Sequence, residues 1–121
     1  MSGDLSRVLA ELRDRFVADA LSRLVRIESS IGRLEEAPGD VAALTDLRRD
    51  FHGLSGTGTS YGYPEVTRVC RTVDVEAVGL LRAGSPPTGE QLARWRRAAG
   101  VVREALLSPP ADPGSGGASP G

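Results

Sequence analysis

Residues 41–64 read VAALTDLRRDFHGLSGTGTSYGYP. Val41, Leu44, Leu47, Phe51, Leu54 and Tyr61 recur at spacings of 3, 3, 4, 3 and 7, the repeat of an apolar stripe along one face of an α-helix. The same stretch then breaks a helix rule. Four glycines fall between Gly53 and Gly62, and a glycine inside a helix costs about 1 kcal/mol relative to alanine. Either the helix ends near Leu54, or the glycines are tolerated because something must come close. A local rule broken inside a consistent pattern is where function is expected.

His52 lies beside this stripe. At the helical turn angle it falls about 120° from the stripe's centre, so an exposed imidazole is expected. Thr45, Arg48, Arg49, Ser55, Gly56 and Thr59 share its side. Gly56, one turn later, leaves a bare patch, and Arg48, one turn earlier, supplies a cation. A neutral imidazole is a nucleophile toward phosphorus, and its ordinary pKa of about 6.5 keeps much of it neutral at pH 7. Small neighbours allow in-line access, and a guanidinium balances charge on transferring oxygens. Asp50 is read as solvent-facing or paired with a nearby arginine, not as a base.

The periodicity extends in both directions. Upstream, Leu5, Val8, Leu9, Leu12, Phe16, Ala20, Leu24, Ile27, Ile31 and Leu34 keep helical spacing, with Asp4 or Ser2 as cap. One helix over 5–36 would run about 48 Å, long for a small bundle, so a break is expected near Phe16 to Asp19. Pro38-Gly39 closes the segment and Asp40 is an N-cap for the next. Downstream, Pro64 opens a helix at the position proline tolerates, with the stripe Val66, Val69, Cys70, Val73, Ala77 and Leu80. The turn Gly84 to Gly89 follows, with Thr88 as a cap. Leu92, Trp95, Ala99, Val102 and Leu106 stripe the last helix. Cys70 and Trp95 read as core, and Arg94, Arg96 and Arg97 as a solvated face. No stretch alternates with period two. The fold class is all-α: an antiparallel four-helix bundle with an additional short N-terminal helix or helix extension, over residues 1–107. Residues 108–121, SPPADPGSGGASPG, read as a flexible linker or tail.

Composition narrows the function. The 121 residues suit one domain. Fifteen basic residues, all arginine, face 16 acidic ones, for a net charge of -1. No basic field is available to hold nucleic acid. The absence of lysine excludes a phosphate-loop lysine and a Schiff-base lysine. One cysteine and one histidine argue against a zinc site and fit a reducing, cytoplasmic setting. No apolar run approaches the length of a membrane span, and no signal peptide is visible. Paired carboxylates or a triad for hydrolysis cannot be assembled. No continuous exposed apolar seam demands a dimer, so a monomer is expected.

The stretch around His52 resembles the histidine-containing phosphotransfer (HPt) domains of bacterial phosphorelays, whose motif runs His-x-Leu-Lys-Gly-Ser-x with a further glycine ten residues after the histidine. Here it reads His52-Gly53-Leu54-Ser55-Gly56-Thr57-Gly58, with Gly62 at plus ten. Phe51 before the histidine and Tyr61-Gly62-Tyr63-Pro64 after it resemble an aromatic-Gly-aromatic-Pro variant of the family. The helix plan matches over roughly 1–107. Ser55 stands where the family usually has lysine and cannot supply its charge; Arg48 and Arg49 are the cations one turn before His52.

The resemblance implies that His52 exchanges a phosphoryl group with the aspartyl phosphate of receiver domains and, through them, serves a sensor histidine kinase. It implies a phosphoryl carrier, not an autonomous enzyme. No cofactor is expected on this chain, and the Mg²⁺ belongs to the receiver. Arg48, Arg49, Ser55, Gly56, Thr59 and Gly62 would form the near-site and docking surface. Two alternatives stay open: a module of the same fold that docks receivers without transfer, as the Ser55 departure suggests, and the N-terminal domain of a larger kinase or response regulator.

Overall fold

The apolar stripes fold as four helices in a computed structural model that describes residues 2–108. They are α1 (Ser2–Glu36), α2 (Val41–Thr57), α3 (Pro64–Ala83) and α4 (Gly89–Leu107), with a short 3-10 turn, Thr59–Tyr61, between α2 and α3. The local signals act where the sequence puts them. Asp40 caps α2 by accepting from the Ala43 N–H at 3.0 Å. Thr88 and Gln91 form a reciprocal capping box at 3.1 and 2.8 Å. Pro64 opens α3, and Gly84, in the left-handed region, closes it. The tail assigned to 108–121 lies outside the described residues beyond Ser108.

Each helix runs antiparallel to the next, and α4 returns beside α1. Arg96 of α4 reaches Glu35 at 2.8 Å and Arg103 reaches Glu28 at 2.6 Å, so α4 climbs as α1 descends. The core combines Leu24, Ile27, Ile31 and Leu34 of α1 with Leu47, Phe51 and Leu54 of α2, Val66, Cys70 and Ala77 of α3, and Trp95, Ala99 and Val102 of α4. Burial pushes the Cys70 thiol up to about 12, which marks it as a packing residue. No described helix is long and apolar enough to cross a membrane.

Three expectations need correction. The break near Phe16 to Asp19 is absent: α1 is one helix of 35 residues, about 52 Å long. Its stripe keeps phase through that segment without Gly or Pro, and Asp19 and Arg23 pair across it at 3.1 Å. The helix extension is therefore the form taken, not a separate short helix. Second, Val41 is exposed and lies off the core. Third, Leu5, Val8, Leu9 and Leu12 are 39% to 61% exposed. The other helices are too short to reach Leu5, Val8 and Leu9: α2 ends near Leu12 and Phe16, and the Phe16 ring stacks on Tyr61 with centroids 4.9 Å apart. The start of α1 thus overhangs as an arm with an uncovered apolar seam, contrary to the premise behind the monomer expectation.

Candidate functional site

The α2 helix continues through Gly53 and Gly56 to Thr57, which keeps His52 in regular helical register and carries its side chain to the surface at 59% exposure. Its Nδ1 lies 2.9 Å from Oδ2 of Asp74 on α3. Asp74 is only 13% exposed, and its other oxygen accepts from Arg48 Nε at 2.8 Å. Arg48 Nη2 is 3.4 Å from His52 Nδ1. A carboxylate can only accept, so the short Asp74 contact makes Nδ1 the protonated nitrogen. The Arg48 contact is then one of charge proximity, since a guanidinium cannot accept. In the neutral ring Nε2 then carries the lone pair, on the side of the imidazole away from this clamp.

The remaining expected site residues divide. Arg48 is brought to the imidazole. Arg49 is not: it pairs with Asp46 at 3.6 Å and lines the α1–α2 groove with Arg23, Arg26 and Arg33. Ser55 is buried and its hydroxyl donates to the His52 carbonyl at 2.8 Å, so it bonds inward and does not front the imidazole. Gly56 is exposed, and a methyl group there would meet nothing within 4 Å. Thr59 donates its N–H to Thr67 Oγ1 at 2.8 Å. Gly62 has φ 91°, so its glycine serves the turn into α3. Asp50 is buried against α1, where it accepts from Arg26 at 3.1 Å and lies 3.5 Å from Arg23; of the two readings of Asp50, pairing is the one observed.

Of the glycines read as tolerated for a close approach, Gly58 lets α2 and α3 close together: a methyl group there would sit 2.9 Å from the Tyr63 carbonyl and 3.1 Å from the Thr67 nitrogen. Asp74 is the contributor that the sequence reading omits. Residues equidistant from Tyr63 face each other across α2 and α3: Thr59 meets Thr67, and His52 meets Asp74. Folding the two predicted helices about that aromatic turn was the available signal. Among the described residues, no group of three or more His, Cys, Asp or Glu side chains is placed to hold a metal ion.

This geometry makes a nucleophilic nitrogen on a bundle surface with a fixed tautomer. The Hpt domain family's sequence profile matches residues 11–105. Among solved structures, the CheA phosphotransferase domain from Thermotoga maritima is similar in fold, with a TM-score of 0.74 and 18% identity, covering 79% of this chain and 91% of that chain. No curated protein sequence matches. The match over most of the chain, on a helical bundle that presents His52, shows that the chain belongs to the Hpt domain family.

Proposed function

We propose that His52 is the phosphoacceptor of a phosphotransfer module and that its Nε2 is the reacting atom. The observation that carries this reading is the 2.9 Å contact from Nδ1 to Asp74 beneath an exposed imidazole. The Nε2 lone pair attacks the phosphorus of an aspartyl phosphate in line. The nitrogen–phosphorus bond forms as the bond to the aspartyl oxygen breaks, and the carboxylate leaves with the electron pair. The Nδ1 proton stays on the ring, which becomes cationic as it bonds phosphorus. Asp74 stabilises that charge where it develops, and Arg48 holds Asp74 in place. Return of the phosphoryl group to a second receiver is the reverse step.

The partners in this reading are receiver domains of response regulators, which carry the Mg²⁺, and through them a sensor histidine kinase; the setting is cytoplasmic. The open face at Gly56 suits approach of another protein, and the contact is expected to be weak, as transient signalling encounters are. A second reading is favoured by the likeness to a CheA phosphotransferase domain: His52 would then be phosphorylated by a kinase domain from ATP rather than by a receiver.

The test is label transfer to wild-type and His52→Gln protein, from phosphorylated receivers of the source genome and, separately, from its kinases with ATP. Acid-labile, alkali-stable label that needs His52 supports the proposal, and the donor that works separates the two readings. Receiver binding by both proteins with no label from any donor would leave a docking module without transfer chemistry.

A further inference from the structure

Among the described residues, the arm of α1 carries a continuous apolar seam that the rest of the bundle meets only at its root, at Leu12 and Phe16. Leu5, Leu9, Leu12 and Phe16 follow at spacings of 4, 3 and 4, the repeat of a helix–helix seam, with Val8 alongside. Below it, Phe16 is covered by Tyr61 and α4 stops at an exposed Leu107. Residues 108–121 are built only from Ser, Pro, Ala, Asp and Gly, so this part of the chain has no large apolar side chain to lay on the seam. The cover must come from elsewhere.

We propose that the arm pairs antiparallel with the arm of a second copy of this chain. A helix with this repeat is complementary to itself: antiparallel overlap sets Leu5 against Leu12 of the second copy and Val8 against its Leu9. Charge selects the direction. Asp4 at the tip and Arg15 at the root are about three turns apart and so lie on one flank of the seam. Neither forms an ion pair among the described residues. Antiparallel pairing places each Asp4 against Arg15 of the other copy, twice per dimer. A parallel pair would instead set Arg15 beside Arg13 of the other copy. Overlap of the arms leaves the bundles at opposite ends, and His52, on the α2–α3 flank, stays open in both. Four side chains per arm cover far less than the roughly 800 Å² per partner of stable complexes. The dimer is therefore weak, with a dissociation constant on the order of micromolar or higher.

Sedimentation equilibrium over about three decades of concentration, up to about 1 mM, tests this with the full chain. The average mass is expected to rise from 12.7 kDa towards twice that value. The Leu5→Asp, Leu9→Asp double variant, altered only at exposed positions, should keep its helicity and melting temperature and stay at 12.7 kDa. Asp4→Arg or Arg15→Asp alone should raise the dissociation constant about fivefold, and the two together should restore it. A wild-type mass of one chain at every concentration would overturn the proposal, as would dimerisation of the double leucine variant. Failure of the paired charge reversal to restore association would overturn the antiparallel arrangement. Loss of receiver binding by the leucine variants of a protein that is always monomeric would assign the seam to the receiver instead.

Discussion

Removing the Asp74 carboxylate should slow transfer without unfolding the bundle. Asp74 accepts from His52 Nδ1 at 2.9 Å and from Arg48 Nε at 2.8 Å. The His52 bond strengthens as the ring gains positive charge during attack on phosphorus. A charge-assisted hydrogen bond contributes about 1.5–3 kcal/mol. The imidazole is 59% exposed, so water replaces part of that, and about 1.5–2 kcal/mol is the appropriate share. At 1.36 kcal/mol per decade, Asp74→Ala should slow single-turnover transfer about 10- to 30-fold. The cost in stability should be near 1 kcal/mol, because Arg48 remains partly hydrated. A structural role alone would not move the tautomer. Nitrogen NMR of the neutral ring should therefore show the proton on Nδ1 in the wild type and a larger share on Nε2 in Asp74→Ala. Transfer within twofold of wild type, with an unchanged tautomer, would refute the assigned role of Asp74.

Other consequences follow from the same packing. Gly58→Ala should destabilise by about 1–3 kcal/mol in denaturant melts, since the backbone at Tyr63 and Thr67 must move. Gly56→Ala has open space and should stabilise the helix by about 0.5–1 kcal/mol, yet weaken receiver docking in a titration if that face is the contact. Thr88→Ala removes half of the capping box and should cost about 1 kcal/mol. For Cys70, burial raises the folded pKa from 9.0 to about 12. The unfolded thiol therefore ionises first as pH rises. Its contribution to stability is complete below pH 9 and is lost between pH 9 and about 12, by up to about 1.4 kcal/mol per unit. Melts of wild type and Cys70→Ala across that range should converge as pH rises.

Much of this fold is legible in the sequence because its helices are strongly periodic and locally capped. Asp40, Pro64 and Thr88 act at the positions their chemistry suggests. The false break in α1 came from a preference about length: no residue between Phe16 and Asp19 disrupts a helix. Helical phase also puts His52 at the surface correctly. It cannot distinguish Arg48 from Arg49, which are neighbours on the wheel; the position of α3 decides, and only Arg48 lies on that side. Ser55 shows a related limit, since its short side chain bonds the carbonyl one turn back rather than pointing outward. Asp74 was hidden because a polar residue beside an apolar stripe reads as solvated until the register of two helices is known.

The most direct test of the central claim is to locate the phosphoryl group by NMR after transfer, from the phosphorus–nitrogen coupling. The account predicts a single phosphohistidine, bonded at Nε2 of His52 and absent in His52→Gln. A phosphoryl group on Nδ1, or on a hydroxyl such as Thr57 or Thr59, would contradict it.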